Sequence, residues 1–180
     1  GVTSLIPGTS ATLRWTISNG TCPATTDDVI ITIDDAPTVA AAGADQNLCN
    51  TTTTNMSANS AGVGAGAWTV VSGTAIITNS TLATTAVTGL VAGTSATLRW
   101  TISNGTCTAT FDDVVINVSE LPTVANADVD QRFCNLSTTT LNGNTPTVGT
   151  GAWSVISGTA TVTTSTLSTS GVTALSIGNT

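Results

Sequence analysis

Gly8–Cys22, GTSATLRWTISNGTC, returns unchanged as Gly93–Cys107, an offset of 85 residues. The second copy sets the reading of the fold. In Ala96–Ser103 the apolar Leu98, Trp100 and Ile102 alternate with Thr97, Arg99 and Thr101. That period of two is a strand with one buried face. Asn104-Gly105 follows, a dipeptide suited to the positive φ of a tight hairpin turn. A second strand then places Val114, Ile116 and Val118 on the inner face and Val115 and Asn117 outward. The same offset carries Pro37 onto Pro122, Cys49 onto Cys134, Trp68 onto Trp153 and Val87 onto Val172. The chain is therefore a tandem repeat, of a length that fits small all-β modules of roughly 70 to 110 residues.

Module boundaries fall at the two PTVA sequences, which begin at Pro37 and Pro122 after the acidic residues Asp34, Asp35 and Glu120. Residues 1–36 read as the C-terminal part of a preceding module, 37–121 as a complete module, and 122–180 as the N-terminal part of a following one. Within 37–121 we expect an edge strand before Cys49 and a second over Thr52–Ala58 with Met56 inward. A glycine-rich turn at Gly62–Gly66 leads to a strand over Ala67–Val71 with Trp68 and Val70 on one face. Short strands follow at Ala75–Thr78 and Thr84–Leu90. Seven or so short strands with a tryptophan on the third predict an immunoglobulin-like β-sandwich. A β-solenoid is the alternative, but no sub-period of 20 to 30 residues divides the repeat.

Composition bounds the role. The chain has 3 basic and 10 acidic residues and a formal charge of −7. Its basic residues are Arg14, Arg99 and Arg132. That balance offers little to a phosphate backbone or an anionic lipid surface, so nucleic acid is not an expected partner. No apolar run approaches the roughly 20 residues needed to span a bilayer as a helix, so membrane insertion is not expected. Histidine, lysine and tyrosine are absent. Ser-His-Asp, Cys-His and Ser-Lys arrangements cannot be assembled, and the adjacent pairs Asp27-Asp28 and Asp112-Asp113 point to opposite faces of a strand. No enzymatic activity and no organic cofactor are expected.

The four cysteines, Cys22, Cys49, Cys107 and Cys134, must pair in a way that respects the repeat. Cys49 with Cys107 would staple one module, which is the usual habit of a disulfide in a small domain, and would leave Cys22 and Cys134 to neighbouring modules. Cys22 with Cys49 and Cys107 with Cys134 would instead clamp successive modules, and four buried free thiols are a third arrangement. Zinc is disfavoured by the lack of histidine and of any CxxC pair. Calcium is conceivable at the junctions, where Asp34, Asp35 and Asp45, or Glu120, Asp128 and Asp130, flank a linker, although no DxDxDG loop is present. Asn-x-Ser/Thr sequons occur at Asn19, Asn50, Asn55, Asn79, Asn104, Asn117 and Asn135, and covalent glycans are possible there. Arg14 and Arg99 read as cross-strand partners of carboxylates, and the four tryptophans as core.

The order ADQNLC at Ala44–Cys49, a Gly-Ala-Trp strand followed by Ser-Gly, LRWTISNGTC at Leu98–Cys107 and the closing DDVVINV at Asp112–Val118 resembles the PKD-like and Ig-like repeats of giant secreted proteins in Bacteroidetes-type bacteria. The resemblance runs the whole length of the chain. It implies tandem PKD-like β-sandwich modules on the bacterial cell surface, outside the cell, serving as stalks and spacers in adhesins and filaments, with neighbouring copies of the repeat as partners. It transfers no catalytic residue. Two other readings stay open. The loops could bind carbohydrate or protein, against which the aromatic content of 3% speaks. Alternatively, the partial modules at the two ends could be completed by strand donation between subunits.

Overall fold

The computed structural model describes residues 5–175 and is all-β among them. Two compact units meet after Ser119. The first contains a hairpin and one complete module. Strands β1 (Thr9–Ile17) and β2 (Thr25–Ile33) form the hairpin, in the register Thr9↔Ile33 to Ile17↔Thr25. The module follows with β3 (Gln46–Cys49), β4 (Thr54–Asn55), β5 (Ala65–Ser72), β6 (Ile76–Ile77), β7 (Ala86–Thr88), β8 (Thr94–Ser103) and β9 (Thr110–Ser119). One sheet has the order β3-β9-β8-β5, and the other the order β4-β7-β6. This is the expected immunoglobulin-like sandwich, with its hallmark tryptophan on the third strand.

The core lies between the two sheets. Leu98, Trp100 and Ile102 of β8, Val114, Ile116 and Val118 of β9, Trp68, Met56 and Val87 are all buried. Trp68 and Trp100 touch with ring centroids 5.2 Å apart. Trp68 Nε1 donates to the Ala83 carbonyl at 3.3 Å, whereas Trp100 Nε1 is buried without a partner. Val70 departs from expectation, because it is exposed rather than sharing the inner face with Trp68. The register of β5 on β8 shifts between Val70 and Ser72, and such a bulge breaks the alternation that the sequence pattern assumes.

Strand β3 runs parallel to β9, from Gln46↔Ile116 to Cys49↔Ser119. Before β3, the extended segment 38–45 is tied to β9 by side chains. Thr110 Oγ1 donates to the Thr38 carbonyl at 2.7 Å and accepts from Ala40 N at 3.0 Å, and Asp112 Oδ2 accepts from Ala42 N at 2.8 Å. Asp45 Oδ1 in turn accepts from Val115 N at 2.8 Å. The chain thus enters the module beside the β8–β9 turn and leaves at the far end of β9.

The second unit carries β10 (Thr139–Asn142), β11 (Thr161–Val162) and β12 (Thr169–Thr173), in the order β10-β12-β11. By the 85-residue offset these are the counterparts of β4, β6 and β7. Residues 131–134 and 150–157, the counterparts of β3 and β5, form no strand.

Candidate functional site

No side chains in the described residues gather into a catalytic arrangement, and among them no three His, Cys, Asp or Glu side chains converge as a metal site would require. The carboxylates named as candidate calcium ligands have other contacts. Asp34 Oδ2 accepts from Thr106 N at 2.8 Å and from Thr106 Oγ1 at 3.1 Å, Asp45 holds Val115 N, and Asp128 Oδ2 accepts from Asn142 Nδ2 at 3.2 Å. Asp112 and Asp113 face opposite sides of β9, as the strand period requires. Asp112 fastens Ala42, while Asp113 takes a two-pronged bond from Arg99, Nε to Oδ1 at 2.7 Å and Nη2 to Oδ2 at 2.8 Å. The Arg99 guanidinium also lies 3.9 Å from the centroid of the Phe111 ring. Arg14 and Asp28 repeat the bond in the hairpin, at 2.8 and 2.9 Å. In both pairs the arginine holds the carboxyl below its ordinary range. The reading of both arginines as cross-strand ion-pair partners agrees with this geometry.

All four cysteines are free thiols, and Cys22, Cys49 and Cys134 are exposed while Cys107 is partly covered. The register excludes the Cys49–Cys107 staple. Cys49 faces Ser119 at the end of β9, whereas Cys107 precedes the start of that strand at Thr110. The intervening β9 spans about 30 Å, against a limit of roughly 7 Å between the Cα atoms of a disulfide. The module therefore presents one thiol at each pole. Cys107 Sγ lies 3.6 Å from the Asp34 carbonyl, at the junction with the preceding hairpin, and Cys49 lies beside the residues that lead into the next unit.

The sequon asparagines Asn19, Asn50, Asn55, Asn79, Asn117 and Asn135 are exposed. Asn104 is partly covered, and its Nδ2 donates to the Asp35 carbonyl at 2.8 Å. Asn117 Nδ2 donates to Asn47 Oδ1 at 3.1 Å, and Asn79 Oδ1 accepts from Thr81 of its own sequon.

The distinctive surfaces are two open apolar faces. Trp15, which is 72% exposed, repeats Trp100, which is 1% exposed; Ile17 and Val29 repeat the buried Ile102 and Val114 and are exposed as well. In the second unit a cavity of about 650 Å³ opens among Ala125, Ala127, Gly143, Gly151, Trp153 and Leu167. Trp153 Nε1 donates to the Leu167 and Ser168 carbonyls at 3.0 and 3.1 Å, and its backbone N to Ser165 O at 2.8 Å. Trp68 N makes the matching bond to Ser80 O at 2.8 Å. Strand periodicity finds the apolar face of the hairpin but not the cavity, because the cavity is lined by segments far apart in sequence. The glycine that admits a tryptophan gives no local signal either. At Gly66 a Cβ would lie 2.1 Å from Trp100 Cζ2, whereas at the equivalent Gly151 the nearest atom is Pro146 Cγ at 4.0 Å.

No known family and no curated protein matches the chain. Among solved structures it is similar to the PKD domain from KIAA 1837 protein, with 20% identity and a TM-score of 0.40 over 45% of this chain and 85% of that one. It is also similar to a nucleoside hydrolase-related hypothetical protein from Saccharophagus degradans that is associated with carbohydrate metabolism, with 19% identity and a TM-score of 0.38 over 49% of this chain and 26% of that one. No helix among the described residues is long and apolar enough to cross a membrane.

Proposed function

We propose that the chain is a structural repeat segment of a long extracellular surface filament or adhesin stalk of a bacterium, in which tandem sandwiches supply length and stiffness without catalysis. The observation that carries this reading is the polarity of the complete module. Its chain enters beside the β8–β9 turn, where Asp34 meets Thr106, and exits at Ser119, at the other end of β9. Modules connected in that way extend end to end rather than folding back, and each adds at least the roughly 30 Å length of β9. Tension on the array pulls β3 and β9 in opposite directions along their length. The parallel bonds from Gln46↔Ile116 to Cys49↔Ser119 and the side-chain bonds of Thr110, Asp112 and Asp45 then share the load in shear. Threonine-rich faces keep the shaft hydrated with few charges, and exposed sequons such as Asn50 and Asn55 are available for covalent glycans.

Immunogold labelling of source cells with antibodies raised against the 180-residue chain tests the reading. The expected result is gold at regular spacing along surface fibres. Label confined to the cell interior, or to isolated points on the envelope, would overturn it.

A further inference from the structure

The two open faces are the two halves of one module. The complete module shows what belongs on each. In it β8 and β9 insert Leu98, Trp100, Ile102, Val114 and Ile116 between β5 on one side and the β4-β7-β6 sheet on the other. The hairpin β1–β2 carries the same strands in the same register, and the second unit carries the facing half without them.

We propose that the β1–β2 hairpin of one copy of this chain docks into the cavity of the second unit of another copy, completing a sandwich and linking copies head to tail. Trp15 would enter against Gly151 and Trp153, as Trp100 lies against Gly66 and Trp68. By the offset, Trp153 aligns with Trp15 and Val155 with Leu13 in an antiparallel ladder, as Trp68 aligns with Trp100 and Val70 with Leu98. Gln131–Cys134 aligns in parallel with Ile31–Asp34, as Gln46–Cys49 does with Ile116–Ser119.

The polar clamp supports the same occupant. The complete module needs Thr38 and Asp45 on the entering segment, and Thr110 and Asp112 on β9. Their counterparts are divided between the halves: Thr123 and Asp130 lie in the second unit, Thr25 and Asp27 on the hairpin. Asp27 and Asp130 are both exposed, each separated from the backbone group that its counterpart holds. An unrelated apolar ligand would not explain why both the core and the clamp residues are present in matching register. A heterologous contact of this kind does not close on itself unless a rotation returns it to the start, so it generates open chains.

The test uses the full 180-residue chain in sedimentation velocity over a wide concentration range. The unmodified chain should form species that lengthen with concentration. Trp15→Asp removes the insert and keeps the cavity; Gly151→Leu fills the cavity and keeps the insert, at a site where the open unit has no atom closer than 4.0 Å. Each variant alone should be monomeric, and an equimolar mixture should form a dimer and stop there, which also shows that both variants are folded. A monomeric unmodified chain at all concentrations, assembly that survives in either variant, or a mixture that stays monomeric would overturn the proposal. So would a monomer in which Trp15 is protected from an added quencher, since the chain would then have closed on its own hairpin. Because it concerns pairing alone, failure here leaves the stalk reading to the cell-labelling result.

Discussion

Gly66→Ala tests the packing at the centre of the complete module. The added Cβ would lie 2.1, 2.4 and 2.9 Å from Trp100 Cζ2, Cη2 and Cε2, where ordinary contact begins near 3.4 Å. The indole must retreat by more than 1 Å, yet it is only 1% exposed and its other neighbour is Trp68, 5.2 Å away between centroids. Overpacking a closed core costs about 1–3 kcal/mol, and disturbing the aromatic pair adds about 0.5–1.5 kcal/mol. A loss of about 2–4 kcal/mol in a module of this size lowers Tm by roughly 10 to 25 °C. Near-UV circular dichroism during heating is the suitable assay, because Trp68 and Trp100 are immobilised in the core while Trp15 is solvated. Gly62→Ala is the control: its Cβ would meet Thr38 Oγ1 at 3.5 Å, an ordinary contact, and Tm should stay within about 3 °C. If Gly66→Ala melts with the unmodified chain, Trp100 does not cover Gly66 and the register of β5 on β8 is wrong.

Thr110→Val, nearly isosteric, removes both bonds between Thr110 and the entering segment and should cost about 1–3 kcal/mol, read as a lower urea midpoint at unchanged m-value. Non-reducing peptide mapping after mild oxidation should find no Cys49–Cys107 linkage within a chain; finding it as the main product would contradict the parallel pairing of β3 with β9. Arg99 depresses the Asp113 pKa chiefly through their hydrogen bond, so its stabilisation is present above the unfolded carboxyl pKa of about 4 and is lost as pH falls below it. Urea midpoints should therefore drop between about pH 4 and pH 2, less steeply in Asp113→Asn, and the difference should shrink at high salt because the pair is partly solvated.

Much of this fold is legible along the chain because β8 and β9 are long and joined by a tight turn. Their alternation identifies Leu98, Trp100, Ile102, Val114, Ile116 and Val118 as core, and all are buried. Local pattern fails where a position depends on a distant partner. Val70 turns outward because β5 bulges against β8. The cysteine pairing was misjudged because the spacing of Cys49 and Cys107 says nothing about the direction in which β3 lies along β9, and that direction sends the two residues to opposite poles. Thr110, Asp112 and Asp45 read as ordinary polar residues until the backbone groups that they hold, nearly 70 residues away, are brought beside them.

The copied stretch behaves differently from its counterpart strands when its surroundings change. Thr9–Ile17 remains a strand although its apolar face is solvated, because it pairs with β2 through a local hairpin. Residues 150–157 repeat much of the sequence of β5 but form no strand, because β5 is held only by β8 and this unit lacks a described equivalent of β8. A strand at the margin of a sheet owes its conformation to the neighbour that supplies its hydrogen bonds, whatever its own β propensity. The two halves are thus unequally prepared. The hairpin arrives formed, whereas segments 131–134 and 150–157 must order when it docks. Hydrogen exchange separates these cases: assembly should slow the amides of 131–134 and 150–157 most and change the β1–β2 cross-strand amides least. Equal slowing across both halves would mean that the hairpin also folds on docking, and that its turn does not stabilise it in isolation.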